Sequence, residues 1–111
     1  DYAGAELAFE EFIELHSDDP LVGNARYWLG ESHYVRGQYV KAAEVFLAGY
    51  QAGPSSQKAP DTLLKLGMSL LNLDKKAQAC ASFEKLATDF TDLSGNIASK
   101  LAAEKKRAGC E

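Results

Sequence analysis

The stretch from residue 27 to residue 46 reads Tyr27-Trp28-Leu29-Gly30-Glu31-Ser32, then Gly37-Gln38-Tyr39, then Ala42 and Phe46. The same spacing returns as Leu64-Lys65-Leu66-Gly67-Met68-Ser69, then Asp74-Lys75-Lys76, then Ala79 and Phe83. Gly67, Ala79 and Phe83 follow Gly30, Ala42 and Phe46 by one interval, 37 residues (67 − 30). The same interval run backwards puts Tyr2 under Tyr39, Ala5 under Ala42 and Phe9 under Phe46, so the pattern opens on its second half. A fixed period of this kind marks a repeat architecture in which each unit buries its apolar face on the next. The Leu-Gly segment predicts one helix, a turn falls near Gly37, and Ala42 with Phe46 begins a second helix. Gly30 with Ala42, and Gly67 with Ala79, are expected where two antiparallel helices approach most closely. A larger side chain there costs ~1–3 kcal/mol in overpacking. Phe46 and Phe83 are expected to fill the space between hairpins.

Composition agrees with an all-α chain. Of 111 residues 46% are hydrophobic, enough for one continuous core, and Ala, Leu, Glu and Lys favour helix. The three prolines, Pro20, Pro54 and Pro60, stand where helices should begin or end. Twelve basic and sixteen acidic residues leave a net charge of −4. The clustered positive face that a nucleic acid requires is not visible. Lys105, Lys106 and Arg107 do cluster, but they close the last helix, where cations complement the helix dipole. No apolar run approaches the ~20 residues of a membrane span. The chain opens at Asp1 without a Met, inside a pattern, and so reads as a fragment or a processed form.

The expected organisation is one domain over residues 1–111: the second half of a repeat at 1–20, full repeats at 21–54 and 57–91, and a cap helix at 94–108. Helices are expected from about residue 2 to 15, 22 to 35, 39 to 51, 58 to 73, 76 to 89 and 94 to 108, with Pro60 in a first turn, where its missing N–H costs little. On the last helix, Lys100, Glu104, Lys105 and Lys106 are expected on the outside, as a solubilising cap needs.

The block from Leu29-Gly30 through Ala42 and Phe46 to Pro54 resembles the tetratricopeptide repeat, a right-handed α-α superhelix. The second block departs from that pattern, with Asp74 where Gly is usual and Thr91 where Pro is usual. The usual period is ~34 residues, and the three extra residues are best placed between Gly53 and Pro60. In such stacks the first helix of each hairpin lines a concave side. The resemblance assigns Asn24, Tyr27, Glu31, Tyr34 and Val35 to this groove from one repeat, and Asp61, Leu64, Met68, Leu71 and Asn72 from the next. Those residues suit a peptide or helix of another protein, although Leu64 and Met68 have packing against the cap helix as an equal alternative. Repeats that clamp a C-terminal carboxylate carry Lys and Asn where Tyr27 and Glu31 stand here, and Glu31 would repel an anion.

No catalytic, metal or cofactor motif emerges. His33 is expected to be packed and hydrogen-bonded, and His16 to lie in an acidic turn with Asp18 and Asp19. Two His and two Cys lack the regular spacing of a metal site. Glu6, Glu10, Glu11 and Glu14 read as a solvated face. Cys80 near the start of the penultimate helix and Cys110 just past the last helix come to the same end of an antiparallel pair. The arms measured from Asp92 are unequal, but Gly109 could fold the tail back, so a disulfide is expected in an oxidising compartment. The alternative is one buried and one exposed thiol.

Two stretches carry a narrower resemblance: Ala25-Arg26-Tyr27-Trp28-Leu29-Gly30-Glu31, and Pro54 through Gly67 followed by Ala79-Cys80-Ala81-Ser82-Phe83. With Tyr2, Ala5, Phe9 and Phe12 they resemble the C-terminal repeat domain of the Tol-Pal system family YbgF, or CpoB, the cell division coordinators. The paired cysteines resemble its alphaproteobacterial branch. That resemblance implies a periplasmic, non-enzymatic protein without cofactor, a trimerising coiled coil N-terminal to this region, and binding to TolA. In some bacteria it also implies a link from outer-membrane constriction to septal peptidoglycan synthesis by a class A penicillin-binding protein. The competing expectations are a repeat module of an outer-membrane assembly or secretion factor, and a non-catalytic domain of a peptidoglycan-active enzyme.

Overall fold

A computed structural model describes residues 1–110 and contains six α-helices and no strand among them. They are α1 (Tyr2–Leu15), α2 (Val22–Val35), α3 (Tyr39–Ala52), α4 (Ala59–Asn72), α5 (Lys76–Asp89) and α6 (Gly95–Ala108). Each consecutive pair packs together, and α2, α4 and α6 also meet side by side. The result is the expected all-α helical-repeat stack, with two hairpins (α2–α3 and α4–α5) between α1 and α6.

Loop chemistry sets the period. Within a hairpin only residues 36–38 or 73–75 separate the helices. Such a short reversal needs one residue in the left-handed region, and Gly37 (φ 73°) and Asp74 (φ 62°) supply it. Asp74, the departure from the repeat pattern, therefore holds the glycine conformation itself, which Asp tolerates better than most side chains. Between hairpins the connections are longer, residues 16–21 and 53–58, and they are built alike. Asp19 Oδ1 accepts from the Leu21 N–H at 2.8 Å, and Ser56 Oγ at the matching place accepts from the Lys58 N–H at 3.2 Å. The extra length of the period lies here, and Pro60 falls in the first turn of α4.

The core forms two joined clusters. Tyr27, Ala42, Ala43, Phe46 and Leu66 make one. Leu63, Leu64, Ala79, Phe83, Leu86, Leu101 and Ala108 make the other. The glycines belong to the phenylalanines more than to the alanines. A Cβ on Gly30 would lie 2.5 Å from Phe46 Cε1, and one on Gly67 would collide with Phe83 in the same way. Each ring thus seals its own hairpin as well as reaching the next: Phe46 clusters with Leu66 of α4, and Phe83 with Leu101 of α6.

Two surface expectations change. Glu6 is not part of a solvated face. Its Oε1 pairs with Arg36 Nη1 and lies 3.5 Å from His33 Nδ1, joining α1 to the end of α2. His33 itself is buried and donates to Gln38 Oε1 at 2.8 Å. On α6, Lys100 and Lys106 face outward, but Glu104 is half-buried beside Arg107 (2.9 Å) and half-buried Lys105 lines the α5–α6 cleft. Ser94 caps that helix by accepting from the Ile97 N–H at 3.2 Å. Gly109 (φ 70°) then reverses the chain, and the Cys110 N–H reaches the Lys105 carbonyl at 2.9 Å. That reversal makes up the unequal arm lengths, and Cys80 and Cys110 are joined in a disulfide.

Candidate partner-binding groove

The side of the stack formed by α2, α4 and α6 is built by the first-helix positions, and most groove residues read from the sequence meet there. Tyr27 and Tyr34 stand one above the other, two turns apart on α2, as residues seven apart on a helix must. Two lysines, Lys58 at the N-cap of α4 and Lys65 within it, reach across to them. Lys58 Nζ lies 4.8 Å from the Tyr27 ring centre and 5.4 Å from that of Trp28. Lys65 Nζ lies 4.6 Å from the Tyr34 ring centre and pairs with Glu31 Oε1 at 3.2 Å. Such cation–aromatic contacts contribute ~0.5–1 kcal/mol each where partly exposed. Asn72 closes the row: its Nδ2 donates to Tyr34 Oη at 3.1 Å and to the Met68 carbonyl at 2.9 Å. Asp61 pairs loosely with Lys58 at 3.9 Å.

Burial sorts these residues into those that hold the groove and those that face it. Tyr27 is only 8% exposed, its ring 5.9 Å from Phe46, so it forms the floor. Its hydroxyl is pushed well above the usual tyrosine range, first by burial and then by the nearby charges of Glu31 and Asp61. Tyr34 is half-buried, and burial raises its hydroxyl too, against the opposing hydrogen bond from Asn72. Leu64 is 3% exposed and clusters with Leu101 and Ala108 of α6, so it belongs to the core and is corrected as a contact residue. Met68 and Leu71 are half-buried against that core, leaving part of each side chain open. Tyr34, Met68, Leu71 and Asn72 are therefore the groove residues best placed to touch a guest.

Two of the expected residues lie elsewhere. Asn24 lines a recess between the two inter-hairpin loops, beside Pro20, Ser55 and Gln57. Val35 is 51% exposed and turns toward α1, where it lines a cleft of about 240 Å³ with Tyr2, Phe9 and Trp28. The sequence reading missed the lysines. Their signal was present: Lys58, Lys65 and Asn72 recur every seventh residue along α4, on the face that meets α2. The matching positions one repeat earlier are Leu21, Trp28 and Val35, and these form an exposed apolar strip on α2. Ser32 Oγ, also on that cleft, is buried without a hydrogen-bond partner.

Comparison with known proteins adds the family. Residues 1–57 match one tetratricopeptide repeat family model, and residues 61–92 match a second with the same description. A search of curated proteins returns no match. With paired antiparallel helices, a glycine under Phe46 and another under Phe83, and matches covering both halves of the stack, the chain belongs to the tetratricopeptide repeat family, whose domains serve as protein-interaction modules.

Proposed function

We propose that this chain is a non-enzymatic protein-binding module of the periplasmic Tol-Pal system, and that it holds TolA in the groove of α2, α4 and α6. In that role it helps coordinate outer-membrane constriction with septal peptidoglycan synthesis, in which a class A penicillin-binding protein is a further partner. The observation that carries the protein-binding reading is the make-up of this face of the stack. Half-buried Tyr34, Met68 and Leu71 stand beside a polar row in which Lys65 pairs with Glu31 and Asn72 bonds Tyr34, a mixture of apolar and polar groups that suits a protein interface. The Tol-Pal assignment rests on the resemblance of Ala25–Glu31 and Pro54–Gly67 to the YbgF/CpoB repeat domain. The Cys80–Cys110 bridge suits an oxidising compartment such as the periplasm.

The test is calorimetric titration of the chain with purified TolA. Replacing Tyr34 and Met68 together with Ala should weaken binding about tenfold or more, the equivalent of ~1.4 kcal/mol, while circular dichroism stays helical. Unchanged affinity in the folded double variant removes the groove assignment. Failure of the unaltered chain to bind TolA removes the Tol-Pal assignment and leaves a binding module for another protein.

A further inference from the structure

We propose that the Cys80–Cys110 disulfide is a dithiol-responsive latch on α6, so that two-electron reduction releases this helix and uncovers the apolar end of the stack. The latch would act whichever partner the stack holds. Helix α6 is packed less than α2 to α5. Its buried residues are Leu101 and Ala108, whereas α4 buries seven. Along its flank runs an open cleft of about 670 Å³ at the junction with α5, lined by Ala87, Phe90, Leu93, Ala98 and Ala102. The helix therefore rests on the core by one edge and is tied at its two ends.

The ties differ in kind. At its start, residues 90–94 join it to α5. At its end, the left-handed turn at Gly109 carries Cys110 back to Cys80, in the second turn of α5. Beneath lie Leu63, Leu64, Phe83 and Leu86, none more than 3% exposed. An isolated helix of this length is marginal in water, so α6 owes its order to docking, and its docking is coupled to the bridge. That coupling is reciprocal: whatever holds α6 down favours the disulfide, and whatever opens the disulfide favours release. Both cysteines are half-buried, at the edge of the stack and not in its centre.

The chemistry balances within the named reagents. A thiolate of the dithiol attacks one sulfur of the bridge, the S–S bond breaks, and the other cysteine departs as a thiolate that takes up a proton. The second thiol of the reagent then attacks the mixed disulfide, closes its own ring and releases the remaining cysteine. The chain gains two electrons and two protons, and the dithiol becomes a cyclic disulfide.

Hydrogen exchange read by mass spectrometry tests this on the whole chain, oxidised and in dithiothreitol, at one pH and temperature. Amides of residues 95–108 should exchange about tenfold faster or more after reduction, while those of residues 22–52 keep their rates. The Cys80→Ser/Cys110→Ser chain should show the fast pattern with or without dithiothreitol. Equal protection of residues 95–108 in the oxidised and reduced chains overturns the proposal, because packing alone then holds α6. Loss of protection through residues 22–52 together with α6 also overturns it, because the bridge would then staple the entire fold.

Discussion

Gly67 shows how far a single position can constrain this stack. The Phe83 ring occupies the space where any Cβ would go, and Phe83 is fully buried, so the ring cannot swing out. Gly67→Ala should therefore destabilise the chain by about 1–3 kcal/mol, despite the better helix propensity of Ala. Adding Phe83→Leu should recover part of that loss, and urea denaturation of the two single variants and the double variant measures the coupling. If Gly67→Ala proves neutral, the close approach of α4 and α5 is not what selects glycine. The tyrosines make a second prediction at this scale. In the unfolded chain a tyrosine ionises near pH 10, whereas in the fold burial holds the Tyr27 and Tyr34 hydroxyls above that value. Above about pH 10 the unfolded state thus binds fewer protons than the folded state, and stability must fall as pH rises. Urea midpoints should be flat from about pH 8 to 9.5 and drop beyond about pH 10. Tyr34→Phe should make the drop shallower.

Among the elements, α1 differs from the rest. It has no fully buried residue, and Phe9, its counterpart of Phe46 and Phe83, lines an open cleft. Its attachment rests on half-buried Phe9, Phe12 and Ile13 and on the Glu6–Arg36–His33 junction. Amides of α1 should therefore exchange fastest among helices α1 to α5, and Glu6→Gln should speed them further with little effect on α4 and α5. Uniform protection across α1 to α5 would contradict this. Helix positions were legible because their markers are local: Gly37, Pro60, Ser94 and Gly109 each work within a few residues of themselves, and the ends fall within about a residue of expectation. Leu64 was not resolved, because its period fits a groove and a buried edge equally well and only the position of α6 decides between them. Lys58 and Lys65 were missed for a related reason. As lone charges they read as surface, and they gain a role only when α2 places rings opposite them. Glu6 was misread alike, since its partner Arg36 lies 30 residues away.

The whole molecule behaves as a short array, in which each helix answers mainly to its neighbours. Stability in such arrays is close to a sum of unit and interface terms, so cooperativity depends on what joins the units. Here the two core clusters meet at few side chains, and Leu70 of α4 packs against both of them. It is half-buried, so Leu70→Ala should cost about 1–2 kcal/mol, less than a fully enclosed leucine. Its larger effect should be on coupling. Trp28, the single tryptophan, reports on the first cluster, because it packs on Tyr27 at 5.0 Å. Far-ultraviolet dichroism reports on all the helices. In the unaltered chain the two signals should change together in urea, as a two-state unit requires. In Leu70→Ala the tryptophan transition should come at lower urea than the helical transition, and the apparent m-value should fall. The half carrying α4 to α6 keeps its disulfide and its larger cluster, and so outlasts the other. Coincident transitions in the folded variant would mean that the clusters communicate through the α3–α4 backbone packing, and not through this side chain.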